Sequence, residues 1–441
     1  MGVLASAIRI RQDLPLRLLE ARAHTDELFQ MVRPEAICDC PVAGRHPLIF
    51  YLGHLEAFDW NLLAYRAFGL RAFHPVCDEL FVPGPASGNG HIPSQPKDWP
   101  GLEEIARYSR RVREELDAAI DSALNHPGEG HPHLTSMLET VIEHRLMHAE
   151  VLAYMAHQMP FERKFPGPVA TPTLVRRFNG RMLEIPAGQA TLGLRSATGE
   201  EFGWDNEFGV HEVNVPSFVI DACNVTNGDF LRFLAADGYE NRALWSEAAW
   251  AWKERAGVCH PASWKRDGNL WMYRAMFGEI RLPLDWPVYV SHAEASAYAK
   301  WLGRRLPSEE QFHRAAYGTP QGRERSYPWG EEAPDKVYGN FHFQQWEPVP
   351  VGSHPAGASA FGVQDLVGNG WEWTRTVFGP FPGFTPLPFY PGYSAKFFDG
   401  KHYVLKGGSP RTAACLLRRS FRTWCSHHVP HVYATFRCVE E

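Results

Sequence analysis

The chain offers little to a polyanion. Its 44 Lys and Arg stand against 50 Asp and Glu, a formal charge of -6, and no Lys/Arg-rich block occurs. Without a basic field, nucleic acid is excluded as an expected partner. No run of about 18 apolar residues occurs, which excludes a membrane span. The N-terminal MGVLASAIRIRQDLPLRLLEAR lacks an apolar stretch of signal-peptide length, so a cytoplasmic protein is expected. The 8 cysteines, Cys38, Cys40, Cys77, Cys223, Cys259, Cys415, Cys425 and Cys438, form no CxxC pair and no zinc-type spacing. Free thiols are the expectation, with Cys38 and Cys40 read as small hydrophobes. Internal repeats and low-complexity tracts are also lacking.

What is present points to two domains, since 441 residues exceed one ordinary domain. The 15 Trp and 35 Pro suit an aromatic, loop-rich architecture. Apolar residues at three-and-four spacing predict helices over 13–33, 46–68, 102–125 and 135–157, and four such helices suggest a bundle. Ile105, Tyr108, Val112, Leu116, Ala119 and Ile120 form one such stripe. Ser136 with Glu139 reads as a capping box for the last helix. The segment 81–100, rich in Pro, Gly, Ser and Asn, is long for a bundle turn and is a candidate functional loop. Pro-rich residues 161–180 then act as a linker between a bundle of residues 1–160 and a second domain of residues 181–441. There, short β-like runs such as HEVNVPSFVI and HYVLKGGS alternate with two helix-like segments, TNGDFLRFLAADG and SHAEASAYAKWLGRRLPSEEQFHRAAYG. The fold class is α+β.

Within EHRLMHAEVLAYM, His144 and His148 are four residues apart. On a helix they project only about 40° apart, so they either grip one ion or sit together on a wet face. His54 interrupts a strongly apolar helix that must face the bundle core, where such sites are built. It is a candidate third ligand or a hydrogen-bonded packing residue. Glu150 lies about 200° around the helix from His148 and is assigned to an outer layer or to the surface.

His54, the HxxxHxE pattern at His144 to Glu150, and the downstream motifs WDNEFGVHEVNV, GRRLPSEEQFHRAA, FGVQDLVGNGWEWT and VLKGGS together resemble the EgtB family of sulfoxide synthases. That resemblance spans nearly the whole chain. It implies a DinB-like four-helix bundle joined to a domain of the formylglycine-generating-enzyme fold, with three bundle histidines, here His54, His144 and His148, holding a non-haem Fe(II). It also implies an oxygen-dependent enzyme whose partners are hercynine, O2 and a chalcogen donor. A three-histidine site leaves positions open for O2 and a thiol or selenol. Hercynine carries a trimethylammonium group that aromatic faces attract. Phe378, Phe381, Thr423 and Trp424 are the residues expected to shape its pocket.

Three departures bear on the donor. Where related synthases carry tyrosines, the first a proton donor near iron, TVFGPFPGF has Phe378 and Phe381. Tyr390 and Tyr393 are the nearest substitutes. From Ala72 to Ala106 there is no arginine and Lys97 is the single lysine, although arginine is the residue that clamps carboxylates. Such a loop suits a neutral, hydroxyl-rich ligand, with Trp99 available for stacking. Finally, RHPLIFYLGHLEAFDWNLL differs from the usual form around the first histidine. Together these resemble the selenoneine synthase branch, which couples hercynine to a selenosugar; the alternative is C–S bond formation with cysteine or γ-glutamylcysteine.

Overall fold

The computed structural model describes residues 2–82, 93, 95–125, 133–172, 181–195 and 201–441, with side chains from Asp13 on. Two compact units meet at Pro166 and Gly167. Most of the predicted loop at 81–100 and part of the predicted linker at 161–180 lie outside the described residues.

The first unit is helical: α1 (Gly2–Gln30), α2 (Leu48–Asp59), α3 (Pro75–Leu80), α4 (Leu102–Asn125) and α5 (Leu134–Gln158). α1 packs along α5, and α2 packs against both α4 and α5. α2 is apolar almost all round and correspondingly buried almost throughout. It runs on into a wider π-helical stretch, Trp60–Ala67, a form often found at functional sites. α4 buries one stripe, Ile105, Tyr108, Val112, Leu116 and Ile120, and exposes the rest. The expected capping box does not form. α5 starts earlier, with His133 in the left-handed region at φ 71° as its N-cap, so Ser136 lies inside the helix. The Glu139 carboxylate instead accepts two bonds from Arg17 of α1, at 2.6 and 2.7 Å.

The second unit begins with β1 (Met182–Ile185), β2 (Gly188–Leu192), β3 (His211–Val215) and β4 (Phe218–Asp221), followed by α6 (Asn227–Ala235) and α7 (Glu247–Ala256). The meander β5 (Trp264–Asp267), β6 (Leu270–Ala275) and β7 (Gly278–Arg281) precedes α8 (His292–Trp301) and α9 (Glu309–Tyr317). The chain ends with β8 (Gly370–Val377), β9 (His402–Gly408), β10 (Thr423–Ser426), β11 (Ala434–Thr435) and β12 (Val439–Glu440). The main sheet has the order β10-β9-β8-β11, and β12 returns to pair with β4 beside β1. What reads as one helical segment at 291–318 is two helices. Gly303 turns the chain at φ 70°, and Ser308 restarts it by capping α9 reciprocally with Gln311. Arg437 holds Glu372 of β8 through two 2.7 Å bonds, with both side chains fully buried. The whole is α+β, a helical unit followed by a sheet-rich one. Among the described residues no helix is long and apolar enough to cross a membrane.

Candidate metal centre

α2 and α5 bring His54, His144 and His148 together, their candidate ligand atoms all within 4.8 Å of one another. The Nε2 atoms of His144 and His148 are 3.1 Å apart. Two ligand nitrogens about 2.1 Å from one ion and at right angles stand about 3 Å apart, so this spacing fits a shared cation. His54 is oriented by its other nitrogen: Nδ1 lies 2.7 Å from the carbonyl oxygen of Phe81. A carbonyl can only accept, so Nδ1 carries the proton and Nε2 keeps its lone pair.

Aromatic rings hold the imidazoles in place. Phe50 stacks on His54 at 5.0 Å and 14°, and Phe58 stacks on His144 at 3.6 Å and 13°. Tyr51 lies 5.5 Å from the His148 ring. Phe81 itself is fully buried. Its ring packs where a Cβ on residue 53 would stand, so Gly53 is what allows Phe81 to come close to α2.

Burial is the main reason all three imidazoles stay neutral. It lowers the pKa of His54 to about 4, against the opposing bond to the Phe81 carbonyl. His144 and His148 are held well below the ordinary histidine value by burial, then by the neighbouring histidines. Neutral imidazole is the state a metal needs. A donor set of three imidazoles without thiolate or carboxylate suits Fe, Zn, Cu or Ni, and three protein ligands leave positions open. The residues present therefore fit a non-haem iron. Glu150 is not part of the converging group.

In the second unit, several residues singled out above form one aromatic cluster. Phe378 stacks on Trp424 at 4.3 Å and 9°. Tyr393 meets Trp424 edge-on at 5.2 Å and stacks on Trp204 at 4.1 Å; Tyr390 lies 5.9 Å from Tyr393. Phe378 and Phe381 are 1% and 8% exposed, and the Arg422 guanidinium sits 3.8 Å over Phe381. Those two rings are covered by their own neighbours, so the half-buried Trp424 and Tyr393 are the ones with surface to offer. Thr423 pairs with Leu405 across β10 and β9. Burial, then Asp205, pushes the Tyr390 phenol up to about 12, so it stays protonated. Trp99 belongs to the first unit, where it is 8% exposed and stacks on Phe81 at 6.1 Å, in the packing behind His54.

Sequence reasoning missed Phe50, Phe58, Gly53 and the Phe81 carbonyl. A signal for the first two existed: they sit four residues before and after His54, on the same helix face. No local pattern marks Gly53 or Phe81.

Comparison with known proteins agrees with this architecture. Residues 17–152 match the DinB superfamily, and residues 171–441 match the sulfatase-modifying factor enzyme 1-like domain. A hercynine oxygenase of Mycolicibacterium thermoresistibile is 39% identical over 430 residues, covering 95% of this chain and 92% of that protein. One of Mycobacterium tuberculosis is 35% identical over 371 residues, covering 79% and 85%. Ergothioneine biosynthesis protein 1 of Neurospora crassa is 27% identical, covering 93% of this chain and 56% of its own length. With a helical bundle that gathers three neutral histidines, a sheet-rich second unit and two hercynine oxygenases matched over 85% and 92% of their length, this chain belongs to the hercynine oxygenase family of enzymes.

Proposed function

We propose that this protein joins a chalcogen to C2 of the imidazole ring of hercynine, using O2 and an Fe(II) held by His54, His144 and His148, with a selenosugar as the donor. The observation that carries the reading is the convergence of three neutral imidazoles, two with Nε2 atoms 3.1 Å apart, in a family of hercynine oxygenases. Iron bound there would supply open coordination positions for O2 and for the chalcogen. The chain's own residues do the rest. The Phe81 carbonyl keeps the His54 lone pair aimed at the cluster, and Phe50 and Phe58 hold two of the rings flat. A trimethylammonium group is attracted to aromatic faces by about 0.5–2 kcal/mol, and the half-buried Trp424 and Tyr393 are the rings of this cluster with surface to offer it. Phe378 backs Trp424 by stacking on it, and Thr423 precedes Trp424 on β10.

Selenium is favoured by what residues 72–106 contain: no arginine, with Lys97 as the single lysine. A dianionic thiol such as γ-glutamylcysteine would call for guanidinium groups, whereas the hydroxyl and amide side chains of this stretch suit a sugar; Trp99, buried against Phe81, is not available to stack on one. A selenol also ionises without help from a protein base, which fits phenylalanine at 378 and 381. The second reading is C–S bond formation with cysteine or γ-glutamylcysteine, favoured by the 39% identity to a protein named for hercynine oxygenation. Mass spectrometry separates them. Iron-loaded protein is given hercynine, O2, and equal amounts of a seleno-N-acetylhexosamine and γ-glutamylcysteine. A hercynine adduct with the selenium isotope envelope is expected, and an adduct carrying only sulfur would overturn the selenium assignment.

A further inference from the structure

On the side of α2 facing away from His54, an ionic layer crosses the bundle interior. Arg145, next to His144 in sequence, is 1% exposed and donates to Asp59 at 2.6 Å and to Glu56 at 3.2 Å. Glu56 also accepts from Arg113 of α4 at 2.6 and 3.0 Å, and Arg113 holds Asp26 of α1 at 2.7 and 2.8 Å. Glu56 and Asp59 follow His54 by two and five residues on α2. One continuous network thus joins α1, α2, α4 and α5 beside the three histidines. Glu56, Arg113 and Arg145 line a cavity of about 440 Å³.

Such a network is an inefficient way to stabilise a bundle. Burying Arg145, Glu56 and Asp59 costs desolvation that apolar side chains of similar volume would avoid. What an ionic layer offers instead is register. Apolar contacts tolerate sliding, but a guanidinium fork spanning two carboxylates accepts one placement. A shift of a single residue along a helix moves a side chain by about 1.5 Å and turns it by about 100°, whereas a working site must be held to about 0.5 Å. The fork links the two helices that carry the histidines, from the position next to His144 to positions two and five residues beyond His54.

We infer that Arg145, with Glu56 and Asp59, is a positioning element that locks α2 against α5 so that His54 meets His144 and His148 in ligand geometry. This rests on the reading of those histidines as metal ligands. Co(II) serves as the probe, since its visible spectrum reports ligand geometry independently of turnover. Full-length wild-type protein is compared with Arg145→Lys and with the combined Glu56→Gln, Asp59→Leu, Arg145→Met variant, which leaves Arg113 its partner Asp26. Thermal unfolding of the metal-free forms is measured alongside.

Wild-type protein that binds no Co(II) would overturn the ligand reading and this inference with it. With the wild type binding, the combined variant is expected to unfold no earlier than wild type yet to bind Co(II) about 10- to 100-fold more weakly, with an altered spectrum. Arg145→Lys keeps the charge but not the fork, and is expected to move the affinity and the spectrum in the same direction. If either folded variant retains the wild-type affinity and spectrum, the positioning role is overturned while the ligand reading stands. Should the combined variant fail to fold, Arg145→Lys decides alone.

Discussion

His54 donates its Nδ1 proton to the Phe81 carbonyl oxygen at 2.7 Å, across 27 residues of chain. That bond leaves Nε2 as the ligand atom, and it exists because Gly53 leaves room for the Phe81 ring. Gly53→Ala should push Phe81 aside and misorient His54 with it. The expected outcome is a stability loss of about 1–3 kcal/mol from overpacking and metal affinity about tenfold or more weaker. Chemical denaturation and a metal competition titration check the two effects separately.

The buried imidazoles give the metal-free protein a defined pH dependence. His54 takes up a proton near pH 4 when folded, against about 6.5 when unfolded. Between those values the unfolded chain binds more protons, so stability rises with pH. The contribution is fully present above pH 6.5 and is lost as pH falls towards 4, about 3 kcal/mol for His54 alone. The denaturation free energy of wild type minus that of His54→Gln should therefore fall over this window. A difference independent of pH would contradict the buried neutral state.

Arg422 donates to both oxygens of Glu309, at 2.8 and 3.0 Å, with both side chains almost fully buried. Arg422→Ala strands that carboxylate and uncovers Phe381. A destabilisation of about 3–5 kcal/mol is expected in urea titration, and the loss should shrink when Glu309→Leu is added.

If the donor is a selenolate, no phenol is required. Tyr390→Phe and Tyr393→Phe keep the rings that pack with Trp204 and are expected to retain turnover. A Tyr393→Phe protein that binds iron normally but forms no product would contradict that part of the proposal.

Much of this was legible in the sequence because it is written in short-range periodicity. The stripe on α4, the spacing of His144 and His148 and the polar His54 in an apolar helix each follow from helix geometry. The Ser136–Glu139 pattern misled because Glu139 has a stronger partner in Arg17, distant in sequence and close in space. The segment at 291–318 misled because Gly303 and the Ser308 cap interrupt an otherwise continuous helical pattern. Arg145, Glu56 and Asp59 look like ordinary surface charges along a chain, and only the packing of four helices reveals them as buried. Gly53 acquires its meaning from Phe81, a contact that no local reading supplies.

The most direct measurement is the iron content of the purified, anaerobically loaded protein beside its His54→Ala, His144→Ala and His148→Ala variants, with circular dichroism to confirm folding. About one iron per chain in wild type and a severe loss in each folded variant is the expected result. Full iron retention in the variants, or none in the wild type, would contradict the three-histidine centre and the oxygen chemistry built on it.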